Sequence, residues 1–373
     1  MLRFIAFLAI AMVSVSAKEL KQAPEAEAKF VGAIGCRSSS CHGGAGEKRS
    51  QYITWSQKDF HTRAYAILLD ARSARIGEAV GTSQPQSNAR CTVCHSPFQS
   101  IPPTRLISTA HPDEGVSCES CHGAAEPWLR GHTRSDWTYA TRVNAGMHDL
   151  RNLYVRANSC VACHQNFAAD ILKAGHPELV FEFDSQSVNE PKHWHDDDPA
   201  IGPCSWLIGQ AVALRETAWH ARADNDASDD TRETSLALAW LLMKVTSADP
   251  ELPKISEPKI SDLGLLQKEA DEVARSAAAW RPTNDSMISI LRTLAASDSE
   301  FGIIKQTRGE QLFYRAKRVV LALDRVTTAL NANRLETVKA GNELTALRED
   351  VRLRDNFDAK RFADHLRAFH AKL

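Results

Sequence analysis

The stretch Cys118-Glu-Ser-Cys121-His122 joins two thiols and an imidazole within five residues. The same C-x-x-C-H pattern recurs at Cys91-Thr-Val-Cys94-His95 and at Cys160-Val-Ala-Cys163-His164, and an expanded form occurs at Cys36-Arg-Ser-Ser-Ser-Cys41-His42. Composition alone gives about 0.01 such pentads in a chain of 373 residues with nine Cys and 14 His. The four C…CH motifs therefore carry a specific chemical signal.

C-x-x-C-H is the attachment signature of c-type haem. The two thiols add to the vinyl groups of the porphyrin, and the adjacent histidine then ligates the iron from the proximal side. We therefore predict four covalently attached haem c groups. The predicted attachment residues are Cys36, Cys41, Cys91, Cys94, Cys118, Cys121, Cys160 and Cys163, and the predicted proximal ligands are His42, His95, His122 and His164.

Two other uses of these cysteines compete with haem attachment. The spacing between the second and third pairs is close to that of a zinc ribbon, but zinc leaves the histidine after each pair unexplained. A disulfide between Cys36 and Cys41, with three haems in total, is the alternative for the expanded motif. The ninth cysteine, Cys204, lies in a helical context and is interpreted as a small buried hydrophobe.

The other axial position of each iron either takes a second protein ligand, as in electron transfer, or stays open for a substrate. Histidine supplies the candidates, since Met147 is the one methionine in the predicted haem region of the mature chain. The predicted distal ligands are His61, His132, His176, His193 and His111, with His148 and His195 as further candidates. The sequence does not assign a particular histidine to a particular iron.

The N-terminus predicts export. Arg3 is followed by an apolar stretch, Phe4 to Val13, and by the small residues Val15-Ser16-Ala17. This pattern is typical of a signal peptide over residues 1–17 and is too short for an ordinary transmembrane helix. We expect a mature chain that starts near Lys18, is not inserted in a membrane and is periplasmic or otherwise exported.

The charge is nearly balanced, with 45 Lys and Arg against 46 Asp and Glu. Nucleic-acid binding requires a basic face or tail to neutralise phosphates, so this class of protein is not expected. A polybasic membrane patch is not expected either. The length suggests two domains, and a change of composition near residue 200 places the boundary between them.

Residues 201–373 contain no C…CH motif and show helical periodicity. Apolar side chains recur every three or four positions, as at Leu207, Ala211 and Leu214, and Asp230-Thr-Arg-Glu233 predicts a capping box at the start of the next helix. The predicted fold class is all-α. A loop-rich helical multihaem domain over residues 18–200 is followed by an antiparallel bundle of about five or six helices over residues 201–373.

The haem region resembles the multihaem cytochromes of the cytochrome c-554 type, which are relatives of hydroxylamine oxidoreductase. The similarity covers about residues 30–200. It rests on four segments: Cys36 to Gly44, Glu114 to Gly123 around the third motif, Trp128-Leu129 with His132, and Ala174-Gly-His176-Pro-Glu-Leu-Val-Phe181-Glu182. The resemblance implies a mostly helical scaffold with haems packed in parallel and perpendicular pairs. It also implies periplasmic electron transfer, usually with bis-His irons and sometimes with one five-coordinate iron.

The sequence thus predicts an exported tetrahaem electron carrier that relays single electrons between a redox protein donor and a redox protein acceptor. One alternative is a redox enzyme in which one haem keeps an open coordination position for a small nitrogen or sulfur compound. Another is a haem-bearing structural subunit of a filament or a membrane-bound complex. The oligomeric state stays open, with an oligomer as one option.

Overall fold

Helices form almost all of the regular structure. The structure is a computed structural model that describes residues 27–166, 168–223, 228–302, 309–332 and 340–373. The predicted signal peptide, residues 1–17, lies outside these ranges. Within them there is no β-strand, and one isolated bridge joins Phe30 to Leu106. The all-α prediction is confirmed.

The helices before residue 200 are short and separated by loops and turns. The described α-helices are α1 (Ala33–Cys36), α2 (Gln51–Lys58), α3 (Ala64–Ile67), α4 (Ala71–Ala79), α5 (Ala89–His95), α6 (Cys118–His122), α7 (Tyr139–Asn144), α8 (Leu153–His164), α9 (Ala169–Lys173) and α10 (Phe183–Asn189). Four 3-10 helices lie between them, at Phe60–Arg63, Pro85–Ser87, Pro97–Ser100 and Pro103–Arg105. Each strict C-x-x-C-H motif forms the last residues of a helix, α5, α6 or α8.

The helices after residue 200 are longer. They are α11 (Ile201–Ala223), α12 (Asp229–Ala248), α13 (Leu263–Ala277), α14 (Asn284–Ala295), α15 (Asp298–Gly302), α16 (Gly309–Ala332), α17 (Gly341–Asp350) and α18 (Ala359–His370), with 3-10 helices at Ile260–Asp262 and Arg354–Asn356. This is more helices than the sequence predicts, because α15 and α17 are short and carry many polar residues.

Helix α11 lies at the centre of this bundle. It contacts α12, α13 and α16 and also α8 and α10 from the region before residue 200. Its side chains are buried on most faces, as expected for a helix that is apolar all round. The outer helices are amphipathic instead, and α18 buries Phe362, Leu366 and Phe369 at spacings of four and three.

Side-chain caps determine where several of these helices begin. The Ser228 hydroxyl accepts from the Thr231 backbone N–H, so α12 starts at Asp229 and the predicted capping box at Asp230 is wrong. Ser228 lies where the chain is still extended, which frees its hydroxyl to bond the first turn. In α14 the Thr283 hydroxyl accepts from the Ser286 backbone N–H.

The hydrophobic interior continues across residue 200. Leu153, Ala157 and Val161 lie four residues apart on one face of α8 and belong to the same buried cluster as the bundle. Phe181 and Phe183 join this cluster from the segment before α11. Among the described residues, no helix combines the length and apolarity needed to cross a membrane.

Candidate functional site

Four histidine pairs lie in the region before residue 200. Each pair joins the histidine of one C…CH motif to one of the predicted distal ligands. The ring centroids are 6.0 Å apart in His42–His132, 6.0 Å in His164–His61, 6.3 Å in His95–His176 and 6.3 Å in His122–His193. The sequence names all eight residues, whereas their pairing comes from the fold alone.

This separation matches two imidazoles bound to one metal ion. Bonds of about 2 Å from each Nε2 to a metal place the two ring centroids about 6 Å apart. The four pairs have this spacing although they differ in the angle between their rings, from 19° in His42–His132 to 83° in His164–His61. The donor set, two thiols and two imidazoles at each motif, therefore fits a covalently attached haem.

Hydrogen bonds hold several of these rings through Nδ1, the nitrogen that points away from the partner ring. The Nδ1–H groups donate to oxygen atoms as follows: His42 to Gln51 Oε1 at 2.9 Å, His95 to the Ala64 carbonyl at 3.1 Å, His132 to the Leu129 carbonyl at 2.5 Å and His176 to the Pro177 carbonyl at 2.8 Å. Such bonds fix the tautomer and leave Nε2 as the ligand atom.

The surroundings of several of these imidazoles favour the neutral form, which is the form that ligates a metal. Burial, together with the neighbouring His193, lowers the pKa of His122 to about 4. Burial also lowers the pKa values of His95, His132 and His164. A neutral ring keeps its Nε2 lone pair available to iron.

His61 has a different environment, because two carboxylates face its Nδ1. The Asp59 Oδ1 atom lies 3.1 Å from this nitrogen and the Glu190 Oε2 atom lies 3.5 Å from it. Their hydrogen bonds raise the pKa of His61 to about 10, against the effect of burial. These three side chains are the one group in the described part of the chain with the spacing of a metal-binding cluster.

The cysteines are free thiols, and thiols of different motifs lie close together. The Cys118 thiol is hydrogen-bonded to Cys36 and holds the pKa of Cys36 below its usual value, despite burial. In the same way, a hydrogen bond to the Cys163 thiol holds the pKa of Cys94 below its usual value, despite burial. Burial and the nearby Cys160 raise the pKa of Cys121 to about 12.

Glu119, between the two cysteines of the third motif, connects this motif to the N-terminal segment. Its carboxylate is buried and accepts from the backbone N–H groups of Val31, Gly32 and Ala125 at 2.6–2.9 Å. Burial raises the pKa of Glu119, and these three donors oppose the rise. The carboxylate thereby aligns α6 with the residues that precede Cys36.

The remaining predicted candidates lie outside the four pairs. His111 is exposed in a turn, and His195 is 3.2 Å from Glu47 on the surface. His148 donates from Nδ1 to the Cys121 carbonyl at 2.9 Å. Cys204 is buried in α11, and its thiol donates to the Trp280 carbonyl at 3.1 Å.

Sequence reasoning missed Asp59, Glu190 and Glu119. Asp59 has a local signal, since an Asp two residues before a histidine caps the turn that carries it. Glu119 and Glu190 have none, because Val31 and Gly32 lie 87–88 residues from Glu119 and His61 lies 129 residues from Glu190.

Comparison with known proteins adds one finding. Residues 21–123 match the family model described as cytochrome c554 and c-prime. The matched range contains the first three C…CH motifs. No curated protein and no solved structure matches the chain.

Proposed function

We propose that the protein is an exported tetrahaem cytochrome of the cytochrome c554 type that relays single electrons between redox partners, a proposal supported by the family-model match over residues 21–123. The four histidine pairs carry the proposal, because each C…CH motif has one partner ring at the separation that a single iron requires. The proposal includes bis-His ligation at all four motifs.

In this mechanism the protein supplies ligands to the iron and buries the haem. Haem supplies a one-electron couple when bound. The two imidazoles of each pair would both ligate the iron, and a substrate would then have no open coordination position. The Nδ1 hydrogen bonds hold the rings in one orientation, so little rearrangement accompanies a change of charge. These features support an electron carrier over an enzyme with an open haem.

The contacts between thiols support an order for the relay. Cys36 with Cys118 brings the first motif next to the third, and Cys121 with Cys160 brings the third next to the fourth. Cys94 with Cys163 then brings the fourth next to the second. We propose that electrons pass along the motifs in the order first, third, fourth and second, or the reverse.

The C-terminal bundle has a mechanical role in this proposal. Tyr154 of α8 donates to Asp271 of α13 at 2.7 Å, and Arg215 of α11 donates to Asn158 of α8 at 2.5 Å. Together with the shared hydrophobic cluster, these bonds fix the helix that ends in the fourth motif. The bundle also offers a surface to a redox partner.

The test combines haem counting with ligand substitution. We expect four haems per chain by the pyridine haemochrome assay and no CO binding by the reduced wild-type protein. Each of the substitutions His61→Ala, His132→Ala, His176→Ala and His193→Ala should convert one haem to a high-spin form that binds CO after reduction.

His111→Ala and His195→Ala are matched controls, since both remove an exposed imidazole outside the four pairs. We expect neither to change the spectrum. Fewer than four haems would remove the expanded Cys36–Cys41 site from the proposal. CO binding by the wild-type protein would instead favour the enzyme alternative, with one open haem.

A further inference from the structure

The carboxylates beside His61 distinguish its pair from the others. In the pairs of His42, His95, His132 and His176, the Nδ1 acceptor is a neutral amide or carbonyl oxygen. At His61 the acceptor is the Asp59 carboxylate, and Glu190 contributes a second one. The two acidic groups are sheltered from solvent, with side-chain exposures of 7% for Asp59 and 25% for Glu190.

Local structure holds Asp59 in place. It ends α2, with its backbone N–H donating to the Trp55 carbonyl at 3.3 Å. Its carboxylate also accepts from the His61 backbone N–H at 2.8 Å, as the cap of the turn Phe60–Arg63. One carboxylate therefore fixes both the backbone and the ring of His61.

Glu190 reaches the same ring from a distant part of the chain. It follows α10, and its backbone N–H donates to the Gln186 carbonyl at 3.0 Å. Since α10 packs on α11, the bundle determines the position of Glu190. Two separate elements of the fold thus bring the two carboxylates to His61, so the arrangement does not follow from the turn Phe60–Arg63 alone.

We propose that Asp59, supported by Glu190, is a positioning residue that lowers the reduction potential of the haem held by the fourth motif and His61. The inference rests on the proposed function. The Nδ1 proton stays shared between His61 and Asp59, so the imidazole becomes a more electron-donating ligand. The negative charge of Asp59, held beside Glu190 in a partly buried site, also stabilises the oxidised, more positive iron. Both effects lower the reduction potential of this haem.

The test is potentiometry of the holoprotein with visible and EPR spectra. In Asp59→Asn the amide keeps the cap of the turn but removes the charge. We expect the ratio of reduced to oxidised haem at a fixed potential to rise about tenfold for one haem, which equals about 59 mV for a one-electron couple. The haem of the third motif should shift less, because Asp59 also lies near enough to His193 and Cys121 to act on them, and the haems of the first and second motifs should keep their potentials. Glu190→Gln should produce a smaller shift of the same haem.

Two further variants separate tuning from simple damage. Asp59→Glu should restore the low potential and the wild-type EPR signal of this haem. Gln51→Glu introduces a carboxylate at the Nδ1 atom of His42, which has a neutral acceptor in the wild type. We expect it to lower the potential of the first-motif haem, and this reciprocal result stays measurable if Asp59→Asn does not fold.

The outcomes that contradict the inference are distinct from those that contradict the proposed function. If His61→Ala creates one high-spin haem but Asp59→Asn and Glu190→Gln leave all four potentials unchanged, the inference is wrong and the relay stands. If His61→Ala leaves every haem low-spin, the pairing itself is wrong. One divalent cation per chain, lost in Asp59→Asn, would show that the three side chains hold a separate metal and would also overturn the inference.

Discussion

Glu119→Gln is expected to weaken the junction between the N-terminal segment and the third motif. The substitution preserves shape, so its cost comes from hydrogen bonding. The amide oxygen still accepts on one side, for example from Ala125, while the amide NH2 group faces the Gly32 N–H, which the Glu119 carboxylate accepts at 2.6 Å in the wild type. One charge-assisted hydrogen bond is lost, and one buried donor is left without an acceptor.

The magnitude follows from these two losses. A hydrogen bond to a charged group contributes about 1.5–3 kcal/mol, and an unsatisfied buried donor costs about 1–3 kcal/mol. Removing a buried carboxylate recovers part of its desolvation cost. We expect a net loss of about 2–3 kcal/mol in the free energy of local opening, which corresponds to about a 30- to 150-fold faster amide exchange.

The measurement is native-state hydrogen exchange with mass spectrometry on the holoprotein. Peptides that cover residues 29–36 and 118–126 report on the junction. Glu126→Gln is the matched control, because Glu126 is exposed and accepts from the neighbouring Lys29 N–H at 2.9 Å. We expect it to change exchange by less than about threefold.

Equal exchange in the two variants would refute the reasoning, since it would mean that burial of the Glu119 carboxylate has no energetic consequence. A uniform increase over the whole chain would refute it as well, because the loss is predicted to be local. Haem content should stay unchanged in both variants, which separates a weakened junction from failed attachment.

Two further predictions concern the bundle. Hydrogen bonds from Arg215 and Tyr154 outweigh burial and lower the pKa of Asp271, so their stabilisation is complete above about pH 4 and is lost as the pH falls through the lowered value. Asp271→Asn should therefore lose less stability than the wild type between pH 7 and pH 3, by about 1 kcal/mol in urea unfolding; equal losses would contradict this. Cys204→Ala should lower the stability of the bundle by about 1 kcal/mol, through lost packing and a lost hydrogen bond to Trp280. It should leave the haem-to-protein ratio unchanged, and a lower ratio would assign Cys204 to haem attachment.

The sequence was informative where a signal is local. Each C…CH motif spans seven residues or fewer, and the helices of the bundle can be predicted from the spacing of their apolar residues. Helix α14 begins at Asn284, directly after Pro282 and the cap at Thr283, and both of these start signals can be read from the sequence. The attachment and ligand assignments stay predictions until haem is measured.

The pairing of the rings was not accessible from sequence. His42 and His132 are 90 residues apart, and His61 and His164 are 103 residues apart, so only the fold brings each pair together. No local pattern separates His111 from His193 either, since both lie in irregular segments outside the helices. Buried acids such as Glu119 are equally hidden, because their partners are backbone groups, which have no sequence signature.

The continuous interior across residue 200 bears on how such a chain can evolve. Val161, one position after Cys160, points into the same cluster as Leu207 and Leu214 of α11. A gene rearrangement that separated the two halves would expose an apolar surface of each half to water. We therefore expect the two halves to fold and to be inherited as one unit. New partners are expected to be acquired by changing loops and the outer faces of α13, α14 and α18, and not by exchanging one half for another.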